Sequence, residues 1–179
     1  MQTYVALLYS IVLSEGRRVV MSDLKAMAQE LGLKNARTLV ATGNLVFEAP
    51  ATEIADLEAR LEAAFERAFG RHVHIIVRGA GDWLRLAAGN PFPAESAAAT
   101  DQVAVRVMRR PVSEEDVATL RPYVGRDEKM QAVDGDLWIF FSRATPNSRL
   151  LTAIGHKRLG IGTSRNWNTV RKLADMVRE

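Results

Sequence analysis

The chain has 179 residues, 47% of them apolar and 25% charged, a globular balance that excludes a disordered polymer and suits one domain or two small ones. It contains no cysteine, which excludes disulfides, cysteine-based zinc sites and a thiol nucleophile, and fits a reducing compartment. The apolar run at residues 5–13 lacks a basic lead, is broken by Ser10 and falls far short of the roughly 20 residues a membrane-spanning helix needs. A cytoplasmic protein with no membrane partner is therefore expected.

In chain order, residues 3–9 are β-prone and almost continuously apolar, as a central strand would be. After a polar loop, Ser22 is placed to cap a helix whose Leu24, Met27, Ala28 and Leu31 share one face, with Gly32 as its stop. Short strands are expected at 37–42 and 45–49, linked by Gly43-Asn44 as a two-residue hairpin. Thr52 opens a long amphipathic helix with the stripe Ile54, Leu57, Leu61, Ala64, Phe65, Ala68 and Phe69, closed by Gly70. A strand at 72–77 completes β-α-β-β-α-β, the ferredoxin-like split unit.

Residues 79–100 read as a connector with one short helix at 82–88, stopped by Asn90-Pro91-Phe92-Pro93. The pattern then recurs. A strand at 103–108 precedes Ser113-Glu114-Glu115-Asp116, which resembles a capping box and explains those acids without catalysis. Strands at 130–133 and 137–141 are joined at Gly135; a helix at 146–154, a short strand near Ile161 and a terminal helix at 166–177 follow. Thr42-Gly43-Asn44-Leu45-Val46-Phe47 echoes Asp134-Gly135-Asp136-Leu137-Trp138-Ile139-Phe140 at the central hairpin of each half. The expected fold class is α+β: two tandem ferredoxin-like (βαββαβ) subdomains with antiparallel sheets and a C-terminal helix. The lobes would be residues 1–80 and 101–179, joined by 81–100.

No P-loop, H-E-x-x-H, G-x-S-x-G or G-x-G-x-x-G is present. His72 and His74 fall on one strand face, but no third His or Cys joins them locally and His156 is remote, so no metal site is assigned. The charge is more informative. Residues 137–174 hold no acid and seven cations, leaving the rest of the chain at −4 under an overall +3. Such a block bears on anionic partners.

Within it, Lys157, Arg158, Ser164, Arg165, Asn166 and Asn168 lie among glycines ahead of a helix start, a composition suited to a small anion. The same residues also read structurally, with Ser164, Asn166 or Asn168 as a cap, Arg165 bonded to carbonyls or an acid, and Trp167, Val170 and Leu173 as a buried stripe. Nucleic-acid binding would need Phe47, Trp138, Phe140 or Phe141 as exposed stacking rings; on such strands an aromatic is more often core, and no basic-aromatic string accompanies them.

Arg165-Asn166-Trp167-Asn168-Thr169, the opening Tyr4-Val5-Ala6-Leu7-Leu8, Met21-x-Asp23-Leu24, the Thr42–Phe47 string, Asn90-Pro91-Phe92-Pro93 and Arg158-Leu159-Gly160 occur in one order. Together they resemble the bacterial DUF1697 family over essentially the whole chain. The resemblance implies two ferredoxin-like subdomains in tandem and carries no established activity. It also implies an Arg-Gly-Ile-Asn-Val-Gly-Gly run after the first strand, where this chain has Tyr9-Ser10-Ile11-Val12-Leu13-Ser14-Glu15. A ligand held by that loop in relatives would be held poorly or differently here.

The leading expectation is a binding protein for an anionic small molecule, with no cofactor. An enzyme with its site between the lobes, lined by Tyr9, Ser10, Thr42, Asn44 and Arg165, is the alternative. A nucleic-acid-binding module, or a homodimer formed through sheet edges, is the third.

Overall fold

A computed structural model of the chain describes residues 1–39, 43–142 and 148–179. It divides into two compact units, Met1–Leu84 with Lys172–Glu179, and Arg85–Arg171. The fold is mixed α+β with antiparallel sheets and a C-terminal helix.

The first unit contains β1 (Gln2–Leu8), β2 (Val12–Ser14), β3 (Arg17–Arg18), α1 (Met21–Glu30), β4 (Lys34–Leu39), β5 (Asn44–Ala49), α2 (Ile54–Phe69) and β6 (Ile75–Gly79). Its main sheet has the order β4-β5-β1-β6, antiparallel throughout. The apolar run of β1 explains its central place: Tyr4, Ala6 and Leu8 join the core, and Val5 and Leu7 on the opposite face are buried as well. Leu24, Met27 and Ala28 of α1 and Leu57, Leu61, Ala64 and Phe65 of α2 complete that core.

Local details depart from expectation. Ser22 does not cap α1, because the cap position falls on Val20. Thr52 lies ahead of α2, with its hydroxyl donating to the Pro50 carbonyl at 2.7 Å. The strand expected from residue 72 begins at Ile75, and the loop after β1 holds the β2–β3 hairpin, turning at Gly16. Ile11 in that loop is a core residue.

The Gly43-Asn44 hairpin also differs. Asn44 is the first residue of β5, paired with Leu7 and Leu39, so it belongs to the strand and not to the link; residues 40–42 lie outside the described residues. Gly43 is needed for close approach instead. Its carbonyl accepts from the Leu8 N–H at 2.9 Å, its φ is +82°, and a Cβ there would lie 2.8 Å from Leu8 Cβ and 2.9 Å from Ile11 Cγ2.

Both edges of this sheet are modified. On β6, the N–H groups of Ile75 and Val77 donate to Glu62 Oε1 (3.0 Å) and Glu58 Oε2 (3.1 Å) of α2. On β4 the register shifts between Lys34 and Arg37, with Asn35 at φ +48°. Carboxylate-capped and bulged edges resist strand addition.

After β6, α3 (Ala80–Ala88) follows without a loop and α4 (Pro93–Ala98) follows in turn, so residues 79–100 hold two helices rather than the one expected. Asn90 Oδ1 accepts from the Phe92 N–H at 2.9 Å, and Pro93 stands at the first helical position. The Asn-Pro-Phe-Pro string therefore starts a helix as well as ending one.

The second unit continues with β7 (Val103–Met108), α5 (Glu114–Leu120), β8 (Lys129–Val133), β9 (Asp136–Phe140), α6 (Arg149–Ala153), α7 (His156–Leu159), β10 (Gly162–Asn166) and α8 (Trp167–Arg178), whose last turns belong to the first unit. The sheet order is β10-β7-β9-β8, antiparallel. The spatial order of the four successive strands is thus the same in both units. The capping box forms as expected: Ser113 Oγ accepts from Asp116 N–H and Asp116 Oδ2 from Ser113 N–H, both at 3.1 Å. Asp134 and Gly135, at φ +49° and +85°, make a tight two-residue link here.

Gly43→Ala should lower unfolding free energy by about 2–4 kcal/mol, combining left-handed strain with overpacking. A urea midpoint shift at unchanged slope would register it; an unchanged midpoint would mean that Leu8 and Ile11 yield freely.

Candidate functional site

In the second unit, a 3-10 turn at Arg121–Tyr123 follows α5, and the chain then reaches Glu128 just before β8. Glu128 is buried, so its carboxylate needs donors. Its Oε1 accepts from the Gly125 N–H at 2.9 Å, and its Oε2 accepts from the Ser148 hydroxyl. Ser148 Oγ in turn accepts from the Leu151 N–H at 3.2 Å, capping α6. One acid thereby ties the segment after Tyr123 to the start of the helix that opens with Arg149.

The result is a pair of guanidiniums gathered on one ring. Arg149 Cζ lies 5.4 Å and Arg158 Cζ 4.8 Å from the Tyr123 centroid, and Arg158 Nη2 donates to Tyr123 Oη at 3.3 Å. These side chains, with Ser148, Thr152 and Ala153, line an open cleft of 370 Å³. Among the described residues, none that lines the cleft is acidic. Each cation–π contact contributes about 0.5–1 kcal/mol at an exposed site, enough to hold an arginine in place but not to neutralise it. An anion in the cleft would meet planar, multi-donor groups suited to bidentate contact.

Of the residues singled out in the C-terminal segment, only Arg158 lines this cleft. Lys157 and Ser164 are exposed elsewhere on α7 and β10. Arg165 is buried, donating from Nη1 to Thr163 Oγ1 at 2.8 Å and to the Ser164 carbonyl at 2.9 Å. Desolvation pushes its pKa down to about 10, still well above neutrality, so it is a buried cation. Asn166 Oδ1 accepts from the Thr169 N–H at 3.0 Å and caps α8; Asn168 Oδ1 accepts from Arg171 at 3.1 Å. Trp167 packs on Trp138 with ring centroids 6.0 Å apart. Within this unit the Arg-Asn-Trp-Asn-Thr string joins strand to helix. Tyr123 was missed because it lies 35 residues from Arg158 and carries no motif. Arg149 was visible only as one charge in the basic block.

The residues of the alternative reading are in the first unit. Tyr9 is half exposed and its N–H donates to the His74 carbonyl at 2.9 Å; Ser10 Oγ accepts from the Val12 N–H at 3.1 Å. Asn44 is buried, its amide donating to the Leu39 carbonyl at 2.9 Å, and Thr42 lies outside the described residues. Phe47 and Trp138 are buried and offer no ring face for stacking; Phe140 and Phe141 are half-buried.

His72 and His74 precede β6, and a third donor does join them, a carboxylate in place of the His or Cys expected of a local third ligand. Glu62 of α2 brings its carboxylate to the pair, with one donor atom from each residue within 4.8 Å of the others. Among the described residues, this group has the composition to hold a metal ion.

A family model described as a protein of unknown function (DUF1697) matches residues 1–138. The chain belongs to the DUF1697 family. The match ends on β9, ahead of Arg149, Arg158 and the Arg-Asn-Trp-Asn-Thr string. A conserved bacterial protein, SP0830 from Streptococcus pneumoniae, is similar in structure with a TM-score of 0.77 at 20% identity, over 100% of this chain and 99% of that one. At that identity the likeness concerns the fold alone. No curated protein matches the DUF1697 chain. No helix among the described residues is long and apolar enough to cross a membrane.

Glu128→Ala leaves the half-buried Gly125 N–H and the buried Ser148 hydroxyl without their acceptor and should cost about 1–3 kcal/mol of stability. Denaturant unfolding of the variant checks this; an unchanged midpoint would dissolve the link between Glu128 and the cleft. Arg165→Ala should also destabilise, by about 1–3 kcal/mol through two lost charge-assisted bonds, read in the same assay.

Proposed function

We propose that this DUF1697 chain is a binding protein for a small phosphorylated anion, received in the second-unit cleft by Arg149, Arg158 and Tyr123. The observation that carries the reading is the gathering of two guanidiniums on one tyrosine ring at the rim of a cleft with no acid among its described lining residues. The surrounding acid-free block, with seven cations over residues 137–174, adds a favourable long-range field. The volume of 370 Å³ suits a sugar phosphate or mononucleotide better than a polymer. Arg165 is outside this site and serves the strand it sits on.

The scaffold in this reading is two ferredoxin-like subdomains, residues 1–80 and 101–179, with 81–100 between them. The shared strand order of the two four-stranded sheets supports that description, and the added β2–β3 hairpin is an insertion after the first strand. The absence of cysteine supports a reducing, cytoplasmic setting.

Titration with inorganic phosphate, a sugar phosphate and a mononucleotide, at low and high salt, tests the function. Saturable binding that weakens with salt is expected. Arg149→Ala or Arg158→Ala should each reduce affinity by about tenfold to a hundredfold, the worth of one hydrogen bond to a charged group. Arg165→Ala should leave affinity unchanged. No saturable binding at low salt, or equal affinity in the Arg149→Ala/Arg158→Ala double variant, would overturn the proposal.

A further inference from the structure

The first unit carries a cluster that the anion reading does not use. His72 and His74 stand at i and i+2 just ahead of β6, with ring centroids 4.9 Å apart at 87°. Glu62, two turns along α2, lies beside them, its Oε1 3.9 Å from His74 Nδ1. We propose that Glu62, His72 and His74 form a binding site for one divalent transition-metal ion of the zinc class.

The donor chemistry selects the class. Two imidazoles and a carboxylate suit zinc, nickel or copper better than calcium or magnesium, which prefer oxygen alone. Three protein donors also leave a fourth position open to water or an anion. The supporting contacts are those that orient metal ligands elsewhere. The Ile75 N–H holds Glu62 Oε1 at 3.0 Å, and the Tyr9 N–H holds the His74 carbonyl at 2.9 Å. The carboxylate and the His74 backbone are thereby fixed before any ion arrives. Donors now within 4.8 Å must close to about 3.4 Å around a tetrahedral ion with bonds of about 2.0–2.1 Å. His72 is exposed, so its side chain can supply most of that movement by rotation. The competing account is an edge-to-face imidazole pair with one long polar contact, His74 Nδ1 to Glu62 Oε1, which needs no metal.

The test uses the full chain, free of any affinity tag and stripped with a chelator, titrated with cobalt(II) and zinc(II). One equivalent of cobalt should give the intense visible bands of a four-coordinate ion, displaced by zinc. Zinc should raise the melting temperature and shift two of the three histidine imidazole resonances. His72→Ala and His74→Ala should each weaken binding by about a hundredfold or more, given that even supporting contacts account for tenfold to a hundredfold. Because His72 is exposed, its variant should keep the parent's far-ultraviolet spectrum, and it decides the matter should His74→Ala fail to fold. No saturation at one equivalent, or undiminished affinity in His72→Ala, would overturn the site. Neither outcome depends on Arg149 or Arg158.

Discussion

A carboxylate removed from water must be met by donors, and that requirement organises both units of this protein. In the second, Glu128 takes the Gly125 N–H and the Ser148 hydroxyl, drawing together two segments that the sheet alone would leave apart. In the first, Glu58 and Glu62 of α2 accept from the outward N–H groups of β6. Those bonds close a sheet edge and hold α2 against it in register. Each candidate site lies beside such a carboxylate. Tyr123 and Arg149 flank the bonds to Glu128, while His74 adjoins the residue whose N–H meets Glu62.

Much of the fold was legible because burial acts on period and position. The doubly apolar β1, the stripe of α2 and the Ser113–Asp116 box could be read directly, since each depends on residues close in sequence. The misplaced details share a cause. Ser22, Thr52 and Gly43-Asn44 follow from local turn and cap chemistry, whereas Val20 and Glu53 hold the cap positions and Asn44 pairs within β5. Gly43 answers to Leu8 and Ile11, which lie far away in sequence. At Asp134-Gly135 local chemistry and tertiary packing agree: the two residues form the turn, and Pro111 crowds Gly135 as closely as Leu8 and Ile11 crowd Gly43.

The sites were less legible for the same physical reason. A basic block announces an anionic preference without telling which cations converge. Arg165 looked the most site-like, in a glycine-rich string before a helix, yet its guanidinium turns inward to Thr163 and Ser164. Arg149 and Arg158 converge because Tyr123 arrives from across the unit, a contact without sequence signature. Glu62 shows the complementary failure. It is one acid of many on an amphipathic helix until β6 brings two imidazoles to it.

In the proposed site Arg149 and Arg158 act together on an anion, and Arg165 does not. Nitrogen-15 spectra of the arginine Nε–Hε groups during a phosphate titration address it residue by residue. The resonances of Arg149 and Arg158 should move together along one saturation curve, with Arg165 stationary. Stationary Arg149 and Arg158 signals, or equal small shifts spread over every exposed arginine, would contradict it.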